Sequence, residues 1–379
     1  MPTITPYHLS FRSALHLGSR GLDLDEARAT IPADTLFSAL VSAWVQTGQD
    51  ADAFVRPFVG EEPDPPFLIS SAFPFAGSVR FYPAPVDLGA RFVSDEARDR
   101  RKSIKRIAWI SEALLNSYLA GETLDAWLFP ESPYAEPTGQ QGAALQGGAL
   151  WLTRQEVDSL PDAMLNAIRK DGKLRLHALR RHNVWQMERV PRVTVDRVSD
   201  ASNIYHAGRT TFARGCGLWF GVQWLQPDAR VDAMSYQQAL AMLLDHLAVN
   251  GLGGERTYGY GAYTLSVADA VAWPDVQKDA AALLLSRYHP RQDELPGVLQ
   301  GAYRLESVAG WLDTPAGADQ RRKRLHLLAE GSLITWPDTP AGDVTDVRPT
   351  YENPAGDVPH PVWRYGLALA AGAKEAAHA

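Results

Sequence analysis

The sequence contains a single cysteine, Cys216, among 379 residues. One thiol cannot build a disulfide framework or a zinc site made of several cysteines, and so low a count is typical of a reducing compartment. The sequence also lacks any run of about 18 apolar residues, so it predicts no membrane-spanning helix. Its first residues carry neither the basic segment nor the apolar segment of a secretory signal. From these absences we expect a cytoplasmic protein.

A positive net charge is also absent, because 44 acidic residues outnumber 37 lysines and arginines and leave a formal charge of −7. This balance argues against a uniformly basic nucleic-acid-binding protein. Two segments are nevertheless basic: residues 175–214 contain eight arginines and three acids, and residues 98–106 contain six basic residues and one acid. Local basic segments on an acidic chain suit a polyanionic ligand, although ordinary solvated surfaces give the same pattern. For residues 98–106, contact with RNA and contact with protein both stay open.

The strongest local pattern is a glycine-rich segment, 251–261, which follows a predicted amphipathic helix and precedes a predicted strand. Glycines permit positive φ and close backbone approach, and successive N–H groups turned the same way bind anions. An arginine and two tyrosines add a phosphate-binding fork and stacking surfaces. The segment is neither a P-loop, which requires lysine where Tyr260 stands, nor a dinucleotide-binding fingerprint. The candidate RNA-binding residues here are Gly251, Gly253, Gly254, Arg256, Tyr258, Gly259, Tyr260 and Gly261; the alternative is a turn without a ligand.

The N-terminal residues alternate between apolar and polar side chains, which predicts a strand with one buried face. The expected buried face consists of Tyr7, Leu9, Phe11, Leu15 and Leu17. The opposite face is polar and partly cationic, with His8, Ser10, Arg12 and His16. We expect Arg12 at the centre of that face, which is either solvent surface or an RNA contact. Asp34 is predicted to be the N-cap of the following helix, whose apolar stripe is Leu36, Phe37, Leu40, Val41 and Trp44. Residues 67–75 are predicted to form a strand.

Further along the chain, residues 86–128 resemble an insertion, and residues 130–148 are rich in Pro, Gly and Gln and predict a loop. Residues 189–197 alternate basic or polar side chains with valine, as in an exposed hairpin arm. Its arginines, Arg189, Arg192 and Arg197, are further candidate RNA-binding residues. Beyond about residue 268 the composition changes. A helix near 280–287 and strands near 303–308, 325–336 and 361–369 predict a second, smaller α+β unit.

Several motifs in order along the chain resemble the RAMP superfamily of CRISPR proteins, and within it the fourth Csm subunit. They are residues 15–18, 34–40, 70–75, 192–197, 203–205, 251–261, 329–332 and 360–366. The resemblance implies an α+β fold of two ferredoxin-like (RRM-related) domains with inserted loops and a β-hairpin thumb. It implies a subunit that caps the crRNA 5′ handle in type III-A effector complexes. The implied protein partners are the large polymerase-bearing Csm subunit and a backbone Csm RAMP subunit.

From this resemblance we expect an N-terminal ferredoxin-like RAMP domain over residues 1–267, with insertions at about 86–214 and the glycine-rich loop at 251–261. A C-terminal ferredoxin-like domain is expected over residues 268–379. The roles of residues 140–148 and of the chain after residue 372 stay open.

An endoribonuclease of the same superfamily, which would process CRISPR precursor RNA, is the main alternative function. RNA cleavage needs a positioned general acid or base, most often histidine. The candidates are His8, His16, His182 and His206, and none has a motif partner that assigns it a role. The carboxylates are scattered, so the sequence indicates no metal site, and we expect no cofactor. A scaffold that contacts only protein is a third alternative, which leaves the glycine loop and the arginine-rich arm without a role. We therefore expect a non-catalytic RNA-binding subunit.

Overall fold

A computed structural model of the chain describes residues 2–18, 28–130, 140–195, 202–312, 320–350 and 358–374. Within these ranges the α-helices are α1 Ala33–Gln46, α2 Ala51–Val55, α3 Asp95–Asp99, α4 Arg101–Ile104, α5 Glu112–Leu119, α6 Asp162–Ile168, α7 Tyr236–Asn250 and α8 Leu295–Leu299. The strands up to the glycine-rich segment are β1 Thr3–Phe11, β2 Phe67–Ile69, β3 Phe73–Ala76, β4 Val79–Pro83, β5 Trp109–Ser111, β6 Gly142–Leu145, β7 Leu150–Thr153, β8 Arg169–Lys170, β9 Lys173–Leu174, β10 Trp185–Val195, β11 Ser202–Phe212, β12 Cys216–Trp224, β13 Arg230–Val231 and β14 Met234–Ser235. Those that follow it are β15 Tyr263–Val267, β16 Val271–Ala272, β17 Ala281–Leu284, β18 Leu305–Val308, β19 Leu325–Leu328, β20 Leu333–Thr335, β21 Val344–Asp346, β22 Trp363–Tyr365 and β23 Ala370–Gly372. None of these helices is long and apolar enough to cross a membrane.

A large mixed sheet forms the centre of the fold. Its strand order is β15-β1-β12-β3-β4-β5-β7-β6, with β16 also paired to β1 and β2 to β12. Strand β1 is antiparallel to both neighbours, so that Leu9 lies opposite Leu218 on one side and Leu265 on the other. Only the β5–β7 pair in this sheet is parallel among the described strands. The predicted insertion therefore contributes strands to the sheet, and the predicted loop at 130–148 is wrong where β6 pairs with β7.

The N-terminal strand buries the side that its alternation predicts, but it is shorter than expected. Leu9, Leu15 and Leu17 are buried, whereas β1 itself ends at Phe11. The expectation that Arg12 lies at the centre of a sheet face is therefore wrong: Arg12 follows the strand, and its side chain is exposed. Its Nη2 atom donates to the carbonyl of Ala248, 3.1 Å away near the end of α7.

Only part of the expected polar face is exposed to solvent: Ser10 and Arg12 are exposed, whereas His8 is half-buried. His8 stacks on Phe75 with ring centroids 4.7 Å apart, and its Nε2 atom is buried without a hydrogen-bond partner among the described residues. Burial, and to a smaller extent the charge of Arg80, lower the pKa of His8 to about 4, so the ring is neutral at pH 7. His16 is buried as well.

Helices α1 and α7 pack against each other and against the main core. The predicted apolar stripe of α1 is confirmed at Leu36, Phe37, Leu40 and Trp44, which are buried, while Val41 is half-buried. The predicted cap is wrong, because α1 begins at Ala33 after Pro32 and Asp34 lies inside its first turn. Helix α7 has a capping box between Ser235 and Gln238, which satisfies N–H groups at its start.

The C-terminal part contains short antiparallel pairings. Strands β20, β17 and β23 form one sheet, while β18 pairs with β19 and β21 with β22. The predicted helix near 280–287 is wrong, since Ala281–Leu284 is strand β17. Ala282, Leu283 and Leu284 are all buried, and a short run that is buried on both faces cannot be told from a buried helix by periodicity.

Candidate nucleic-acid interface

The glycine-rich loop at 251–261 contains four glycines in left-handed or other positive-φ backbone. Gly251, Gly253, Gly259 and Gly261 have φ of 83°, 95°, 78° and 81°. Side chains other than glycine rarely adopt these values, so the expectation of positive φ is confirmed at these positions. Gly254 has no positive φ, whereas Glu255 adopts one of 57°.

The close backbone approach that these glycines allow is to the protein itself. A Cβ atom on Gly253 would lie 2.5 Å from the carbonyl oxygen of His16, and one on Gly261 would lie 2.1 Å from that of Leu252. The N–H groups of Gly254 and Gly261 donate to the carbonyls of His16 and Ala14, at 2.9 and 2.8 Å. These two donors are therefore occupied and do not form an open anion-binding concavity.

Gly259 is different, because nothing lies within 4 Å of a Cβ atom built there. It follows a 3₁₀ turn, Arg256–Tyr258, at the exposed apex of the loop. The side chains of Arg256 and Tyr258 are exposed, with 58% of Tyr258 accessible, whereas Tyr260 is only 9% accessible. The apex is thus the part of the loop that a ligand can reach.

Strands β10 and β11 form the hairpin arm, which confirms the predicted hairpin from Arg189 as far as Val195; Arg197 lies outside the described residues. Because side chains alternate across a strand, Arg189 and Arg192 point to opposite faces. Arg192 points to the glycine loop: its guanidinium carbon lies 4.3 Å from the ring centroid of Tyr258 and 5.6 Å from that of Tyr260. Its Nη2 atom donates to the Tyr260 hydroxyl over 3.1 Å.

A second arginine on this inward face of the arm belongs to β11. Arg209 lies opposite Glu188 in the hairpin register and forms an ion pair with it at 2.7 Å. Hydrogen bonds to Glu188 and then to Tyr260 raise the pKa of Arg209 above its ordinary value. On this face Tyr260 is thus hydrogen-bonded to Arg192 of β10, while Arg209 of β11 is paired with Glu188.

The outward face of the arm combines exposed apolar and basic side chains. Arg189 and His206 are exposed here, and so are Met187, Val193 and Ile204. The sequence already indicates that Arg189 and Arg192 have different surroundings, because residues three apart on a strand lie on opposite faces.

A short segment, 14–17, lies between the arm and the glycine loop. Leu15 exchanges two backbone hydrogen bonds of 2.8 Å with Thr210 of β11. The Nδ1 atom of His16 lies 2.6 Å from the carbonyl oxygen of Gly208, and the backbone carbonyl of His16 accepts from Gly254. Segment 14–17 thus fixes the positions of arm and loop relative to each other.

The histidines considered for RNA cleavage are not brought together with carboxylates. Within the described ranges, none of His8, His16, His182 and His206 forms an ion pair with an acid, and no group of His, Cys, Asp and Glu could hold a metal ion. Among the histidines that the structure describes, His289 has an acidic partner: its Nδ1 atom lies 2.6 Å from Asp343 Oδ1. Sequence inspection missed this pair, since 54 positions separate its members.

A buried ion-pair network was also missed. The Asp34 network consists of Asp34, Arg287, Glu306, Glu330 and Arg364. The carboxylate of Asp34 is 0% accessible, and its oxygens lie 3.2 Å from Arg287 and 2.5 Å from Arg364. Burial opposes ionisation, but the two arginines outweigh it and hold the pKa of Asp34 below its ordinary value. Both oxygens of this carboxylate are therefore occupied.

Comparisons with known proteins connect this geometry to one family. Residues 277–373 match the family model of the CRISPR Csm4 C-terminal domain. The chain is 26% identical over 361 residues to the CRISPR system Cms protein Csm4 of Mycobacterium tuberculosis (strain CDC 1551 / Oshkosh), with 93% of each chain covered. It is 25% identical over 373 residues to the Csm4 protein of Streptococcus thermophilus, with 96% of each covered.

Solved structures show the same fold. A chain of the Csm3–Csm4 subcomplex in the type III-A CRISPR–Cas interference complex aligns with a TM-score of 0.63 and 14% identity, covering 97% of this chain and 99% of that one. A chain of the Csm1–Csm4 cassette in complex with pppApA aligns with a TM-score of 0.53 and 17% identity, covering 99% of each. The mixed α/β architecture is thus shared along nearly the whole length. The chain is therefore similar to Csm4 proteins of CRISPR systems along nearly its whole length, and its residues 277–373 match their C-terminal domain.

Proposed function

We propose that this chain is a non-catalytic RNA-binding subunit of a type III-A CRISPR–Cas interference complex. In this proposal it holds the crRNA 5′ handle and bridges the large subunit to the backbone filament. The observation that carries the proposal is the junction of the hairpin arm with the glycine loop at Arg192, Tyr258 and Tyr260. This junction combines an exposed aromatic ring with arginines on an otherwise acidic chain.

Single-stranded RNA is bound by aromatic side chains that stack on bases and by cations that follow the phosphates. The exposed ring of Tyr258 is the stacking candidate. The exposed guanidinium groups of Arg12, Arg189 and Arg256 are the phosphate candidates. Arg197 belongs to the same proposal as the next basic residue of the sequence after Arg192.

The glycines have two roles in this proposal. Gly251, Gly253, Gly254 and Gly261 give the loop its shape by allowing it to pack on itself and on segment 14–17. Gly259, which has open space around it, is where the RNA backbone could approach the protein backbone.

The finer description of the fold belongs to the same proposal. It consists of a ferredoxin-like RAMP domain over residues 1–267 and a second ferredoxin-like domain over residues 268–379. In support, every strand of the large sheet except β16 lies within residues 3–267, and the match to the Csm4 C-terminal domain begins at residue 277. The names of the solved structures support a backbone subunit like Csm3 and a large subunit like Csm1 as partners. The proposed location of the complex is the cytoplasm.

Binding of RNA that contains the repeat-derived handle tests the proposal directly. We expect the purified protein to retain this RNA and Tyr258→Ala to weaken the affinity about tenfold, since loss of one base–aromatic stack costs about 1–3 kcal/mol. The matched control is Trp311→Ala, because Trp311 is another partly exposed aromatic residue that contacts an arginine, Arg321, at 4.7 Å. Equal affinities for wild type and Tyr258→Ala would remove Tyr258 from the site, and failure of the wild type to bind would contradict the function.

Incubation of the bound RNA with and without Mg²⁺ separates the binder from the nuclease. We expect the RNA to stay intact at protein concentrations that saturate binding. Site-specific cleavage that disappears on changing any one of His8, His16, His182 or His206 to alanine would establish the endoribonuclease instead.

A further inference from the structure

We propose that Arg192 is a positioning residue that locks the hairpin arm to the glycine loop, rather than a residue that binds RNA phosphate. The inference rests on the proposed RNA-binding function and assigns one arginine within it. Arg192 lies over Tyr258 and donates to the hydroxyl of Tyr260, so one guanidinium connects β10 to two side chains of the loop. We call these three residues the arm–loop lock.

The environment of the guanidinium supports this assignment. Its Nε atom is buried and has no hydrogen-bond partner among the described residues. A planar guanidinium stacked on an aromatic ring gains about 0.5–2 kcal/mol from the cation–π contact. Because Nε is buried and Nη2 donates to the Tyr260 hydroxyl, a phosphate could take the Nε–Nη2 edge of this fork only if Arg192 left Tyr260.

Tyr260 is the fixed side of the lock. It is nearly buried, and its hydroxyl accepts a hydrogen bond from Arg192 of β10. On the same face, Arg209 of β11 is held by Glu188 of β10 through two hydrogen bonds of 3.0 and 2.7 Å. Strand β10 is therefore attached both to the loop and to β11 before any RNA arrives.

Tyr258 is the side chain on which the lock acts. Arg192 covers part of its ring, while 58% of the residue stays accessible. Holding an aromatic ring in place before binding reduces the entropy lost when a base stacks on it. Arg192 thus contributes to affinity through Tyr258, and the orientation of the arm becomes coupled to stacking at the loop.

Two readouts separate positioning from phosphate binding. Hydrogen exchange of the arm and of residues 256–260 in the RNA-free protein measures the lock, and the salt dependence of RNA affinity measures phosphate contacts. We expect Arg192→Ala to speed exchange in these segments about fivefold to tenfold and to weaken RNA binding by a similar factor. The slope of log affinity against log salt should stay unchanged.

The conservative variant and a neighbouring arginine are the matched controls. Lysine keeps the charge of Arg192 but loses the planar stacked fork, so Arg192→Lys should resemble Arg192→Ala. Arg189→Ala, on the outward face of the same strand, should leave exchange unchanged and reduce the salt slope by about 0.7. Arg192→Ala should weaken binding little further in a Tyr258→Ala background.

Each outcome decides the assignment. Arg192 would be a phosphate ligand if Arg192→Lys bound RNA as tightly as the wild type and Arg192→Ala reduced the salt slope by about 0.7. Exchange in RNA-free Arg192→Ala equal to that of wild type would overturn the lock. Because exchange is measured without RNA, failure of the wild type to bind RNA would contradict the proposed function and not the lock.

Discussion

The glycine-rich loop and the Asp34 network differ in how the chain builds them. The loop is one continuous segment of the sequence with an exposed apex, whereas the network joins residues as far as 330 positions apart around a fully buried carboxylate. A chemical pattern confined to consecutive residues is visible before folding. A charge cluster made by distant residues exists only once the chain has folded around it.

The largest expected effect tests the buried half of this comparison. Asp34→Ala should lower the free energy of unfolding by about 3–5 kcal/mol, because it leaves Arg287 and Arg364 buried without their shared carboxylate. Asp95, which forms an exposed ion pair with Arg98, is the matched control, and Asp95→Ala should leave stability nearly unchanged. Chemical denaturation measures both, and equal effects would mean that burial does not distinguish the two ion pairs.

The second prediction concerns the packed part of the loop. Gly261 and Gly259 have almost the same φ, but a Cβ atom meets the Leu252 carbonyl at 2.1 Å in the first and open space in the second. Gly261→Ala should therefore destabilise the protein by about 2–4 kcal/mol. Gly259→Ala should cost about 1–2 kcal/mol, from its backbone conformation alone. Similar melting temperatures for the two variants would show that the loop does not depend on close packing.

A third prediction concerns His8, which is not part of the Asp34 network. It tests, through the pH dependence of stability, whether burial sets the pKa of this side chain. The pKa of His8 is about 4 in the folded protein and 6.5 in the unfolded chain, so between these values the unfolded chain binds the additional proton. The contribution of His8 to stability is complete above pH 6.5 and is lost as the pH falls to about 4. The loss should be on the order of 1–2 kcal/mol, allowing for the part of the ring that faces solvent. His8→Phe should flatten this part of the stability profile; an unchanged profile would mean that His8 is solvated.

The smallest expected effect lies beside the loop. Arg12→Ala should reduce the salt slope of RNA binding by about 0.7, with little change in stability. Arg230 is the matched control, because it is also exposed and also donates from Nη2 to a backbone carbonyl. If Arg12→Ala, like Arg230→Ala, left the salt slope unchanged, Arg12 would be excluded as a phosphate contact.

Predictions from the sequence succeeded where periodicity and backbone chemistry are local. The buried side chains of β1, the stripe of α1 and the positive φ of the loop glycines follow from residue types at fixed spacing. The predicted helix at 280–287 failed because a run of buried alanine and leucine suits either structure. Asp34 was predicted to be the N-cap of α1 because nothing in the neighbouring sequence indicates its two arginine partners, which lie more than 250 positions away. The lock between Arg192 and the two tyrosines likewise depends on the docking of the arm.

The hydrogen bond between His16 and Gly208 makes an internal spectroscopic reporter of arm docking. A carbonyl oxygen can only accept, so the Nδ1 atom of His16 must carry a hydrogen while the arm is docked. The neutral imidazole is therefore confined to a single tautomer, with its lone pair on Nε2. Undocking would let the ring exchange between tautomers and average its nitrogen resonances. The native His16 side chain would therefore report, without an added label, the motion of a hairpin that lies almost 200 positions further along the sequence.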